Sequence, residues 1–237
     1  MSFRIDGVGD YAQRTTAANL GNSQLGTLVV WYRKEDSTVD REIITLSRSG
    51  SAGRFAIQSS TQIKGGINSE TPTNQNMATN SWAGLAISVN SDSGDINCYF
   101  YQSGTLTTVW SSSAGAGGNL ATLRLGNNDA WGDSASGSFR YARFWTAVLN
   151  TTEIQAEFEM TPSVGTPAAR LTNLFDSWLL PTGTDGSGVN SNSLTLSGGA
   201  TSAEEPTIGG GAVVAAGILR STPARPQGVG IQGLRTL

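Results

Sequence analysis

The sequence predicts an all-β fold of two packed antiparallel sheets, and three observations predict it. Brief segments in which apolar and polar residues alternate recur along the chain, as strands with one buried face require. Gly, Asn, Ser and Asp cluster between those segments, and these residues serve tight turns while weakening helices. Charged residues make up 14% of the 237 residues, against roughly 25% in typical soluble proteins; Ser, Thr, Asn, Gln and 30 Gly take their place. A chain of this length can form one large sandwich with a substantial core.

The elements follow in order. Phe3-Arg4-Ile5 alternates and stops at Gly7. Leu25 to Tyr32 is rich in β-branched and aromatic residues, and Ile43 to Leu46, Arg54 to Gln58 and Gln62 to Ile67 come next. Leu85 to Val89 alternates cleanly and ends at Asn90-Ser91-Asp92-Ser93-Gly94-Asp95, a loop by composition. Ile96 to Tyr101 turns at Ser103-Gly104 and returns through Leu106 to Trp110. Thr122 to Leu125, Phe139 to Trp145, Phe175 to Leu180 and Leu194 to Leu196 complete about a dozen strands, the spacing of a sandwich.

One segment reads as a helix. Asn150 is placed to cap it, Glu153 three residues on to bond back, and Leu149 to staple against Ile154. Pro162 limits its length. Asn150-Thr151-Thr152 also fits a glycosylation sequon, which the capping reading outweighs. From Pro206 the character changes to Gly, Ala and Pro. Residues 1–206 are therefore read as the body and 207–237 as an extended tail. After Glu205 no acid remains while Arg220, Arg225 and Arg235 do, so the tail is basic against an acidic body.

Several function classes drop out. There is no histidine, hence no imidazole base, pH switch or Cys/His zinc site. The single cysteine, Cys98, rules out an intrachain disulfide and reads as a buried thiol. A net charge of −3 gives no general affinity for nucleic acid. The most apolar stretch, Ile208 to Leu219, holds four Gly and is far shorter than the ~20 residues of a membrane helix. No secretory leader is expected from Met1 to Asp6.

Six pieces in order carry a family likeness. Phe3 to Ala12, with Asp6-Gly7 and Asp10-Tyr11, resembles the opening strand pair of laminin-G-like, concanavalin A-type jelly rolls. Trp31-Tyr32-Arg33 is similar to their aromatic strand, Ser81 to Val89 to their tryptophan-led strand, and Cys98 to Gly104 to their Tyr-x-Asn-Gly hairpin, with Gln-Ser in place of Asn. Leu125-Gly126-Asn127 resembles a strand end, and Phe139 to Trp145 with Leu149 and Glu153-Ile154 resembles a late strand and its short helix. The resemblance covers about residues 2 to 200. It implies a jelly-roll sandwich and a family that includes carbohydrate-binding modules, protein-binding modules and some hydrolases, among which fold does not choose.

Catalysis is not expected. The Glu-x-Asp-x-x-Glu run of related glucanases is absent, and the closest acids, Glu153, Glu157 and Glu159, lie on the helix. Capping accounts for Glu153 and solvation for Glu157. Calcium is a candidate cofactor at Asn127, Asp129 and Asp133, whose oxygens are closely spaced; an Asx-rich turn is the plainer reading. Asp92 and Asp95 fit a turn better still. Trp110, and Trp131 beside Asn128 and Asp129, are candidate sugar-stacking residues, with packing at a sheet edge ranked ahead for each tryptophan. Trp31, Trp82, Trp145 and Trp178 are assigned to the core.

The expected function is a virion structural protein, a phage capsid decoration or tail-associated protein at the virion surface. Its tail, with Arg220, Arg225 and Arg235, would anchor to other virion subunits. The alternative is an extracellular carbohydrate-binding module with glycans as partners. Neither reading involves nucleic acid or a membrane.

Overall fold

The computed structural model describes residues 2–5, 10–15, 20–35, 41–48, 55–59, 63–67, 69–73, 75–113, 117–126, 136–160, 168–180, 184–185, 192, 194–197 and 200–202. The strands are β1 (Ser2–Ile5), β2 (Tyr11–Thr15), β3 (Leu25–Lys34), β4 (Arg41–Arg48), β5 (Phe55–Ser59), β6 (Ile63–Ile67), β7 (Ser69–Pro72) and β8 (Trp82–Asn90). They continue with β9 (Asp95–Gln102), β10 (Thr105–Ser112), β11 (Leu120–Gly126), β12 (Gly137–Trp145), β13 (Leu174–Leu179), β14 (Thr184–Asp185), β15 (Thr195–Ser197) and β16 (Ala200–Ser202). One helix, α1 (Thr151–Glu159), lies between β12 and β13.

Two antiparallel sheets form. One has the order β10-β9-β8-β3-β12-β1-β16, with β13 also on β12 and β14 on β13; the other runs β15-β2-β11-β4-β5-β6-β7. The expected strands are present with ends moved by a few residues. The pieces that single-strand periodicity did not mark are β2, β7, β14 and β16, which are short or polar and exist through pairing; β2 is expected only from the strand pair of the family resemblance. Inward residues of both sheets, among them Leu28, Val30, Ile87, Phe100, Leu123, Leu125, Phe139 and Phe144, make the main core. This is a two-sheet antiparallel jelly-roll sandwich.

A second apolar cluster sits on the outer face of the larger sheet, under α1. Val29 and Trp31 of β3, Ala86 of β8, Tyr99 and Tyr101 of β9, and Tyr141 and Trp145 of β12 pack there against Leu149, Ile154 and Phe158. Phe158 stacks on Tyr101 at 5.3 Å and meets Trp31 edge-on at 5.6 Å, arrangements worth about 0.5–1.5 kcal/mol each beyond burial. Gly84 makes this contact possible, because a Cβ there would come within 2.3 Å of the Phe158 ring.

The helix starts as expected. Asn150 accepts from the Glu153 amide and Glu153 accepts from the Asn150 amide, both at 2.9 Å. Glu157 does not follow its expected solvation. It is buried at 3% exposure, where it takes Arg143 Nη1 on one oxygen at 2.5 Å and the Ala169 amide on the other at 2.7 Å. A carboxylate is tolerated there because a cation from the sheet and a backbone donor both meet it. Trp31, Trp145 and Trp178 are buried as expected, and Trp82 packs partly buried against the outer cluster. No helix among the described residues is long and apolar enough to cross a membrane.

A polar groove as the candidate functional site

The apolar cluster covers part of the larger sheet's outer face. Farther along the same strands the outward residues turn polar. The register sets Thr27 opposite Ser88, Ser88 opposite Asn97, and Asn97 opposite Ser111, so four strands contribute one row. Inward neighbours on those strands are Leu28, Ile87, Val89, Ile96 and Cys98, all in the main core. Period-two alternation therefore produces this row from the same segments that build the core.

Ser88, Asn97 and Ser111 lie in an open groove of about 520 Å³, with Asn90 and Asp95 at one end and Ser112 and Ser113 along β10. Its wall is Val148, 38% exposed. Thr27 fixes that wall: fully buried, it donates to the Ala147 carbonyl at 2.8 Å and accepts from the Leu149 amide at 2.9 Å. Arg170 holds the Val148 carbonyl from behind at 3.1 Å.

The rim is a built turn. Asn90 accepts from the amides of Asp92 and Ser93, and Ser93 Oγ donates to Asp95 at 2.6 Å. Gly94 takes φ +80° to close it. Asp92 and Asp95 thus sit in a turn, as expected. The floor is different in kind. Ser88 is 1% exposed and its hydroxyl has no hydrogen-bond partner. A buried hydroxyl without a partner costs stability, so a native one calls for an explanation. It underlies a groove lined by amides and hydroxyls, but its oxygen is closed to solvent, so the polar groups a ligand would meet are those of Asn97 and Ser111.

The candidate residues named from the sequence fare unevenly, and Trp110 is the one the structure places. It is half-buried and packed on the core, with its Cβ against Gly65 of the opposite sheet. A bulge explains this. Thr108 pairs with Tyr99, but Trp110 pairs with Cys98, so one extra residue enters β10. The slip turns Trp110 inward and presents Ser111 beside Asn97. Trp110 thus packs against the core from an edge strand, the reading ranked ahead for it. Asn127, Asn128, Asp129, Trp131 and Asp133 lie outside the described residues, as do Arg220, Arg225 and Arg235. Among the described residues no three His, Cys, Asp or Glu side chains converge as metal ligands.

Ser88, Asn97 and Ser111 did not stand out in the sequence. Ser88 belongs to the clean Leu85–Val89 alternation, so its outward position was legible; the cross-strand row was not.

Chemically the groove offers neutral donors and acceptors, one carboxylate and one aliphatic wall. It brings no nucleophile together with a base, and no second carboxylate faces Asp95 among the lining residues. Cys98, under the groove floor, is buried, and burial pushes its thiol up to about 12 against a weaker opposing bond from Gly66. It is not a reactive thiolate.

No protein-family model matches the sequence, and no curated protein matches it. Solved structures do resemble it. A Bacteroides ovatus protein provisionally described as carbohydrate binding aligns with TM-score 0.61 at 12% identity, over 87% of this chain and 61% of that one. A heptameric SAP-like pentraxin from Limulus polyphemus aligns with TM-score 0.52 at 10% identity, over 83% of this chain and 94% of that one. A Trypanosoma rangeli sialidase solved with the inhibitor DANA gives TM-score 0.54 at 13% identity, over 65% of this chain and 26% of that one. The chain spans about three-fifths of the Bacteroides ovatus protein. At such identities the likeness is one of fold.

Proposed function

We propose that this chain is a non-catalytic carbohydrate-binding module that takes a glycan in the groove on the outer face of its larger sheet, and that it works outside the cell or on a cell surface. One observation carries the reading: an open groove whose described polar lining consists of Asn and Ser side chains and one Asp, with Asn97 and Ser111 side by side on neighbouring strands. Hydroxyl and carboxamide groups both donate and accept, so they match sugar hydroxyls, which do the same. The fold likeness to the Bacteroides ovatus protein supports the reading. The motif likeness to laminin-G-like domains is compatible with it.

The non-catalytic part rests on the residue set. Hydrolysis of a glycosidic bond needs two positioned carboxylates, and Asp95 is the one carboxylate among the described residues of the groove lining. Anchoring to virion subunits through Arg220, Arg225 and Arg235 concerns residues outside those described, and none of the three neighbours above is described as a virion protein. The carbohydrate reading therefore replaces it as the main one. A calcium role for Asn127, Asp129 and Asp133 forms no part of this reading.

The test is a glycan array with the full chain, beside the variants Asn97→Ala and Ser111→Ala. Binding that both variants weaken, with unchanged circular dichroism, is the expected result. A chain that binds no glycan, or binds one regardless of these substitutions, contradicts the proposal.

A further inference from the structure

We infer that the groove selects neutral glycans and rejects carboxylated or sulfated ones, an inference that rests on its reading as a glycan site. The observation is its charge. Asp95 is the one charged residue among the described residues of the lining, and it stands at the rim beside Asn90. The remaining polar residues are serines and asparagines. Recognition of an anionic sugar needs a cation, best an arginine in a forked pair with the carboxylate. No described lining residue supplies one.

Two nearby positive features are already committed. Arg170 approaches the back of the wall, but its guanidinium donates to the Val148 carbonyl at 3.1 Å and lies 3.4 Å from Glu153. The helix N-terminus that follows Val148 is closed by its capping box, which consumes the Glu153 and Asn150 amides and places a carboxylate in the first turn. Neither offers an unbalanced positive charge to a bound anion. An acidic glycan in this groove would meet Asp95 with no compensating charge, whereas a neutral one meets only groups that both donate and accept.

The row's length adds to this. Ser88, Asn97 and Ser111 sit on successive strands, so it extends about 10 Å at the usual strand spacing. That accommodates an oligosaccharide lying across the strands rather than a single terminal residue held by its charge. Tyr99, the next outward residue on β9, is buried under the helix cluster. Hydrogen bonds across the row, with Val148 as the apolar side, therefore carry recognition.

The test uses the full chain and matched probes: the neutral oligosaccharide bound most tightly on the array, and the same oligosaccharide bearing a terminal sialic acid or a uronic acid. Titration calorimetry is run on the unaltered protein, on Asn97→Ala and on Asp95→Asn. The neutral probe binds, and Asn97→Ala weakens it about five- to tenfold, as loss of hydrogen bonds to an uncharged side chain does. The acidic probes bind about tenfold more weakly than the neutral one, and Asp95→Asn or raised salt narrows that gap to a few-fold. Acidic probes that bind as well as the neutral one, in a manner abolished by Asn97→Ala, overturn the charge selection while leaving the groove as a glycan site. A gap unchanged by Asp95→Asn also overturns it. Absence of binding to every probe, or binding indifferent to Asn97→Ala in a folded variant, removes the glycan site itself and this inference with it.

Discussion

The outer face of the larger sheet has two halves built by the same strands. In one, Val29, Trp31, Ala86, Tyr99 and Tyr101 lie under α1 with Phe158. In the other, Thr27, Ser88, Asn97 and Ser111 form a row in which Thr27 and Ser88 are buried while Asn97 and Ser111 reach the groove. Moving two residues along β9, from Tyr99 to Asn97, crosses from one to the other. The backbone and its twist are continuous across that step, so side chains alone decide which half is closed and which is open to a ligand. The closed half stabilises the sheet and fixes α1. The link into α1, tied down by Thr27, then supplies the wall of the open half. Stability and binding are separated on one surface, and substitutions should separate them too.

The largest expected effect breaks the closed half. Glu157→Ala leaves Arg143 buried beside Ser177 without its carboxylate, and loss of one partner of a buried pair costs about 3–5 kcal/mol; urea denaturation measures it. Cys98 sharpens the contrast between the groove and the core directly beneath it. Its thiol is raised from 9.0 to about 12 by burial, so the folded state holds the neutral form while the unfolded state ionises first. The stability it contributes is fully present below pH 9 and is lost as pH rises toward 12. Unfolding titrations over that window are expected to show the decline, and Cys98→Ala to flatten it.

Gly84→Ala pushes a methyl into Phe158, an overpacking expected to cost about 1–3 kcal/mol and visible as a lower midpoint in urea. Asn150→Ala removes the cap from α1, for about 1 kcal/mol. The smallest stability change belongs to the open half. Ser88→Ala removes a buried hydroxyl that has no partner, so stability is expected to stay within about 0.5 kcal/mol or to rise slightly. Glycan affinity should change little, because that oxygen is closed to solvent, whereas Asn97→Ala should weaken it. A Ser88→Ala protein that unfolds as readily as Glu157→Ala would erase the distinction between the halves.

How far the sequence disclosed these halves follows from which interactions are local. The strands were legible because alternation is a property of a few consecutive residues, as in Leu85 to Val89. The start of α1 was legible because Asn150 and Glu153 bond within one turn. Glu157 was misread as solvated because its cation comes from β12, fourteen positions earlier, and nothing in the helix announces it. Trp110 packs as the reading ranked ahead for it expected, but the reason was not legible. Plain pairing from the Ser103-Gly104 turn places it opposite Asn97 on the outer face, where an indole would suit a sugar. The single extra residue at Val109 reverses that, and no local signal marks the bulge. The row of Ser88, Asn97 and Ser111 depends on the same register, so it too became visible only once the strands were paired.

The most direct measurement is an amide chemical-shift map of the full chain titrated with the tightest neutral oligosaccharide from the array. The expected result is movement of Ser88, Asn97, Ser111 and Val148, with Trp31 and Phe158 under the helix unmoved. Shifts centred on residues 127–133, with the groove silent, would contradict the assignment of the binding site to this face.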